Sequence, residues 1–323
     1  MNKLIALSLA FTLTLSLTAC GGTEESVAKY NVYDSSYTYG ITHNGSSSSV
    51  DLFASDLCVA NGDDVGTSSV HSTVASAAGA FNTTEQTTVY SQSIHEKMYP
   101  ASTTKIMTAY IACMYGDLDE YYTVSANAVD QASDSSVANL KEGDVISLRD
   151  LLYGLMLRSG NDAAVAIAEG MSGDVESFVQ LMNDTAKSLG ATNTNFVTPN
   201  GLHDENHYTT VYDMYLILNA AITNEDFYTI FTSTNYTASY TSGGEAKTQE
   251  WRTTNQYLTG NVTTPSGFSI LGGKTGTTGA AGYCLVLLSE NPDHDKIVSI
   301  VFNADCRSNL YLLMNEILSQ YCL

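Results

Sequence analysis

A serine and a lysine three residues apart, Ser102 and Lys105 in YPASTTKIMTAY, stand just after Pro100 at the head of an apolar run. Proline is favoured at the first helical position, so both residues fall on one opening turn and share a face. A serine hydroxyl is a weak nucleophile until a neighbouring base removes its proton, and a neutral amine can be that base. Lowering a lysine pKa from about 10.4 to about 7 costs roughly 4 to 5 kcal/mol, which requires burial, a nearby cation, or both. The helix start also directs N–H groups and the positive dipole end toward whatever Ser102 attacks. The spacing alone is a weak signal. Ser26 and Lys29 repeat it where no helix can hold it, and an exposed helix end would look the same.

Two other groups could complete such a site. Ser-x-Asn occurs at Ser125 and Asn127, at Ser159 and Asn161, and at Ser233 and Asn235. Only the middle copy sits in a tight break between two apolar stretches, where it can present a hydroxyl and an amide to a cleft. It can equally cap the following helix. Lys274-Thr275-Gly276 occurs once, in LGGKTGTTG. Its glycines allow a substrate backbone to approach a sheet edge, and its lysine and threonine can grip a carboxylate, although a plain glycine-rich turn fits too.

His203 and His207 flank Asp204 and Glu205, but the stretch reads as a loop and offers no third ligand, so no metal site is expected. Cys58, Cys113, Cys284, Cys306 and Cys322 contain no Cys-x-x-Cys pair and read mostly as small buried hydrophobes. Trp251 and the 21 tyrosines read as packing and surface residues.

The elements that must position these groups follow from periodicity. TVASAAGAF and TTVYSQSI predict a hairpin, and Pro100 predicts a helix running to about Tyr115. SLRDLLYGLMLRSGNDAAVAIAEGM predicts two helices broken at Ser159-Gly160-Asn161, and DVESFVQLMNDTAKSLG another, ended by Gly190. GYCLVLLSE and KIVSIVFNA predict strands covered on both faces, followed by a last helix over SNLYLLMNEILSQY. Strands, then helices, then strands and a helix imply an α/β sandwich whose sheet is assembled from both ends of the chain.

The order Ser-x-x-Lys, Ser-x-Asn, Lys-Thr-Gly resembles the signature of penicillin-binding proteins and serine β-lactamases. More narrowly, YPASTTKIMTAY, LLYGLMLRSGNDAA, TNFVTPNGLHDENHYTT and GGKTGTTGAAGYC resemble the low-molecular-mass D-alanyl-D-alanine carboxypeptidases, over roughly residues 70 to 320. The resemblance implies a DD-peptidase/β-lactamase-like α/β fold, an antiparallel sheet flanked by helices with a mostly helical subdomain. It implies Ser102 as the acylated nucleophile, Lys105 as its general base, and Ser159 as proton relay to the leaving D-alanine. Asn161 would orient the peptide, while Lys274 and Thr275 of the Lys274-Thr275-Gly276 strip would bind its terminal carboxylate. Backbone N–H groups of Ser102 and Thr277 would form the oxyanion hole. The implied substrate is a peptidoglycan stem peptide ending in D-Ala-D-Ala, with β-lactams as covalent inhibitors and no cofactor or metal. A class A β-lactamase would need a Glu-x-x-Leu-Asn loop, which is absent between Ser159 and Lys274. A non-turnover penicillin sensor or cell-wall-binding lipoprotein is the alternative outside enzymes. Many family members carry a C-terminal β domain and membrane helix, whereas this sequence stops at Leu323, and residues 30 to 70 match no known pattern.

The formal charge of −21, from 13 basic and 34 acidic residues, argues against nucleic acid or anionic lipid as a partner. The first 19 residues read as an export signal, apolar from Leu4 to Leu17. Leu17-Thr18-Ala19-Cys20 resembles a bacterial lipobox, which implies lipidation of Cys20 and anchorage at the outer face of the cell membrane. Residues 20–50, rich in Gly and Ser, read as a tether, and 51–323 as the catalytic domain.

Overall fold

The computed structural model describes residues 54, 56–60 and 62–323, so the expected export signal, Cys20 and tether lie outside the described residues. Strand β1 (Ala75–Asn82) turns back into β2 (Thr87–Gln92) as an antiparallel hairpin. After Pro100 a 3-10 turn, Ala101–Thr104, passes directly into helix α1 (Lys105–Tyr115). Then come β3 (Tyr121–Thr123), the single-turn α2 (Ala126–Val129) and β4 (Val145–Ser147). Helices α3 (Leu148–Leu157) and α4 (Asn161–Ser172) break where expected, and α5 (Val175–Ser188) is followed by Gly190 at φ +82°. Helices α6 (Val211–Ala221) and α7 (Glu225–Thr232) complete the middle of the chain. Strands β5 (Asn235–Ser242), β6 (Glu245–Arg252), β7 (Ser269–Thr278), β8 (Gly282–Glu290) and β9 (Lys296–Ala304) precede the last helix, α8 (Arg307–Tyr321).

The main sheet has the order β2-β1-β9-β8-β7, every pairing antiparallel, so its strands do come from both ends of the chain. The apolar runs of β8 and β9 are buried on both faces. Leu285, Leu287 and Val301 pack toward Leu313, Met314 and Ile317 of α8, while Val286, Ile300 and Phe302 join the larger core with Ile106, Met107 and Met214. Each such side chain contributes about 1.5 to 3 kcal/mol by leaving water, so α1, buried along its first two turns, is fixed in the core among α3, α4 and α6.

Two features depart from the expected pattern. The helical region carries a second sheet, β3-β4-β5-β6, whose β5–β6 hairpin turns at Gly243-Gly244, both at positive φ. In addition, the Lys274-Thr275-Gly276 stretch is no turn ahead of a strand. It is itself strand β7, paired with β8 from Ser269 to Thr278 and lying at the sheet edge. Glycine suppresses strand propensity, which hides such a segment from a composition reading.

Candidate active site

The turn carrying Ser102 is held in an uncommon conformation. Ala101 takes φ +48°, a left-handed value that costs an alanine about 1 to 2 kcal/mol and persists only where surroundings enforce it. Part of that enforcement comes from β7. A Cβ on Gly276 would lie 2.9 Å from the Ser102 amide nitrogen and 3.0 Å from the Pro100 carbonyl oxygen, so only glycine lets the strand edge come this close.

One residue into α1, the Lys105 side chain is fully buried. Its Nζ lies 3.1 Å from Ser102 Oγ, 2.8 Å from Asn161 Oδ1 and 2.6 Å from the Asn200 carbonyl oxygen. A neutral amine has two N–H donors and one lone pair. The two amide oxygens can only accept, so they take the donors and leave the lone pair for the Ser102 hydroxyl. Burial is the largest influence holding Lys105 well below the usual lysine range; the Lys274 cation adds to it and the Asp162 carboxylate opposes it.

Ser159 and Asn161 come from the break between α3 and α4. Ser159 takes φ +56°, and α4 has Gly160 at its N-cap with no side-chain cap, so neither polar group is occupied in capping. Ser159 Oγ instead accepts a 2.9 Å hydrogen bond from Lys274 Nζ, which also donates to the Thr275 carbonyl at 2.8 Å. Lys274 is buried, and that burial brings its pKa down to about 7. Thr275 Oγ1 lies 2.9 Å from Thr254 Oγ1.

The expected groups thus converge on one cleft. Ser102, Ser159, Thr275, Gly276 and Thr277 line a cavity of about 280 Å³, and Arg307 from the start of α8 joins them. A second cavity, about 300 Å³, adjoins it at Ser102 and Thr277 and takes in Asn161. Such a cleft offers a hydroxyl beside a buried amine that burial makes easier to deprotonate, a second hydroxyl beside a second lysine, and an edge strand for substrate pairing.

Several residues acting here have no sequence signature. Arg307 brings a cation from a helix unrelated to any motif. The Asn200 carbonyl reaches Lys105 because Gly201, at φ +82°, packs so tightly that a Cβ there would meet the Ala101 carbonyl oxygen at 1.9 Å. Asp162, buried beside Asn161, accepts from the amides of Ala138 and Leu140 and so ties down the segment bearing Ser136, another lining residue. His203 and His207 part company. His203 is exposed with its ring edge-on to Tyr99, whereas His207 is buried and bonds Thr104 Oγ1 through Nε2. Among the described residues, no group of three or more His, Cys, Asp or Glu side chains could hold a metal, and Cys58, Cys113, Cys284, Cys306 and Cys322 are all free. Cys58, Cys284 and Cys322 are buried, while Cys113 and Cys306 are partly exposed.

An antiparallel sheet packed between helices, with Ser-x-x-Lys, Ser-x-Asn and Lys-Thr-Gly around one cleft, defines the class of penicillin-binding serine peptidases. Within that class the chain belongs to the D-alanyl-D-alanine carboxypeptidase family, peptidase S11, whose family model matches residues 66–306. It is 36% identical to D-alanyl-D-alanine carboxypeptidase DacC of Escherichia coli (strain K12) over 219 residues, 65% of this chain and 51% of DacC. It is also 36% identical to the D-alanyl-D-alanine carboxypeptidase of Streptomyces sp. (strain K15), covering 66% of this chain and 76% of that protein. The crystal structure of the Streptomyces K15 DD-transpeptidase superposes with a TM-score of 0.68 at 31% identity, covering 76% of this chain and 97% of the other. The chain spans about half the length of several of these relatives, DacC and the Bacillus subtilis (strain 168) DacF included.

Proposed function

We propose that this protein is a serine D-alanyl-D-alanine carboxypeptidase that removes the terminal D-alanine from peptidoglycan stem peptides. The observation that carries the reading is the placement of Lys105 Nζ, buried, 3.1 Å from Ser102 Oγ, and held by two carbonyl oxygens that can take its N–H donors. Lys105 takes the Ser102 proton as Oγ attacks the penultimate D-alanine carbonyl. The oxyanion that forms lies between the backbone N–H groups of Ser102 and Thr277, donors of a kind worth about 3 to 4 kcal/mol each. As the C–N bond breaks, the proton held by Lys105 passes to the departing amine through Ser159, which Lys274 holds in place, and Lys105 is left neutral again. The terminal carboxylate is gripped by Thr275, Lys274 and Arg307, and Asn161 orients both Lys105 and the peptide. Water then takes the acyl group from Ser102, and Lys105 serves as its base. No step calls for a metal or organic cofactor.

β-Lactams, which mimic the D-Ala-D-Ala amide, would acylate Ser102 by the same route. The likeness to the Streptomyces K15 DD-transpeptidase supports a second outcome for the acyl-enzyme, capture by an amine instead of water. The lipobox-like Leu17–Cys20 segment supports lipidation at Cys20 and anchorage at the outer face of a bacterial cell membrane, where this substrate lies. Labelling with a fluorescent penicillin tests the core of the reading: wild type should label stoichiometrically, release free D-alanine from a D-Ala-D-Ala peptide, and lose both on Ser102→Ala. Equal labelling of the two proteins would remove Ser102 from its role.

A further inference from the structure

Thr275 has a partner that no motif marks. Its Oγ1 lies 2.9 Å from Oγ1 of Thr254, and both residues line the first cavity with Ser102 and Arg307. Thr254 belongs to the connection between β6 and β7, two residues past the end of β6. The backbone is held on both sides of it. The Thr253 amide donates to the Thr234 carbonyl at 2.8 Å, and the Gln256 amide donates to the Tyr311 hydroxyl at 3.0 Å. Between them Asn255 is buried, its Oδ1 accepting from the Tyr257 amide at 3.1 Å. Tyr311 stands one turn beyond Arg307 on α8, so the same contacts tie this connection to the helix that brings the cation. The Thr254 hydroxyl is therefore carried on a supported backbone, as a group that must aim another group has to be.

Hydrogen-bond inventory sets the direction of this contact once a substrate is bound. Each hydroxyl has one proton and two lone pairs, and the geometry allows either to donate. A carboxylate only accepts. With the terminal carboxylate gripped by Thr275, the single Thr275 proton goes to the carboxylate, and only the Thr254 proton is left to fill the 2.9 Å contact. Lys274 Nζ serves the Ser159 hydroxyl and the Thr275 carbonyl oxygen, so among the described residues Thr254 is the partner of the Thr275 hydroxyl. We propose that Thr254 is a positioning residue for carboxylate recognition: its hydroxyl donates to Thr275 Oγ1 and so turns the Thr275 proton toward the substrate. A hydroxyl that accepts one hydrogen bond donates a stronger one, and the two threonines act as a short relay. Without the Thr254 proton, the Thr275 hydroxyl is free to rotate among its staggered positions, and only one of them meets the carboxylate.

The inference rests on the proposed carboxypeptidase reading, and its test separates the two. Two thioesters are compared: N-benzoyl-D-alanyl thioglycolate, whose leaving group ends in a carboxylate, and the S-ethyl thioester of N-benzoyl-D-alanine, whose leaving group has none. The quantity read is the ratio of their kcat/KM values within one protein, so a general loss of activity in a variant cancels. Wild type should favour the thioglycolate. Thr254→Val keeps the shape of the side chain and removes the hydroxyl, and it should lower that preference about three- to tenfold, the range of one intramolecular hydrogen bond. Thr254→Ser should restore it. In a Thr275→Val background, Thr254→Val should lower the preference no further, because Thr254 acts through Thr275. If wild type releases no D-alanine from a D-alanyl-D-alanine peptide and cleaves neither thioester, the carboxypeptidase reading fails. The same ratio is then read from acylation by benzylpenicillin and by its methyl ester. A preference absent from wild type, untouched by Thr254→Val, or lowered equally with and without the Thr275 hydroxyl would overturn the proposal.

Discussion

Protonating one buried imidazole should loosen the ground under Lys105. His207 Nδ1 accepts from the Val197 amide at 3.0 Å and the Thr198 amide at 3.3 Å, so its proton sits on Nε2 and is donated to Thr104 Oγ1 at 2.8 Å. The ring therefore joins the turn before Lys105 to the loop whose Asn200 carbonyl accepts from Lys105. Burial above all, reinforced by Lys105 and His203 and opposed by Asp204, lowers the His207 pKa to about 4. An unfolded histidine titrates near 6.5, so on acidification the unfolded chain takes up the proton first. The stability contributed by the neutral ring is complete above pH 6.5 and drains away as pH falls toward 4. Between pH 7.5 and 4.5 the loss is about 2.5 kcal/mol. Other groups titrate in this window, so the assay compares wild type with His207→Gln by urea unfolding at both pH values. The variant should be the less stable at pH 7.5, through lost hydrogen bonds and lost packing against Phe196. Its deficit should then shrink by about 2.5 kcal/mol at pH 4.5. A deficit independent of pH would refute the argument.

The two charges that flank Lys105 should move the acid limb of penicillin acylation in opposite directions. Lys274→Gln removes a cation that holds the Lys105 pKa down, so the limb should move to higher pH. Asp162→Asn removes a carboxylate that holds it up, so the limb should move to lower pH. The same change leaves the Ala138 and Leu140 amides with poorer partners and should cost about 1 to 3 kcal/mol of stability in thermal or urea unfolding. Gly276→Ala puts a Cβ against Ser102 and Pro100, and stopped-flow acylation should slow at least tenfold, about 1.4 kcal/mol, while far-UV circular dichroism stays native.

Much of this site could be read in the sequence because its groups lie on strongly patterned elements. Pro100 and the apolar run after it mark α1, and the two leucine- and alanine-rich helices isolate Ser159 to Asn161 between them. What escaped are contacts made by the backbone or across long chain separations. Asn200 acts through a carbonyl that any residue carries, and its position depends on how closely Gly201 approaches Ala101. Arg307 reaches the cleft only because α8 packs under β8 and β9, a tertiary fact without local pattern. The β5–β6 hairpin alternates buried and exposed residues, but its inward positions mix Ala, Tyr and Trp with polar residues such as Lys247 and Gln249, so the sequence carries no clean apolar alternation. The edge strand β7 is concealed by the glycines that let it touch Ser102.

The charge state of Lys105 is the most direct test. The Nζ resonance of Lys105, observed by nitrogen-15 NMR in lysine-labelled protein and assigned by its absence in Lys105→Gln, should change from ammonium to neutral amine well below the usual lysine range. A resonance that remains ammonium up to pH 10 would mean that Lys105 cannot take the Ser102 proton, and would contradict the account.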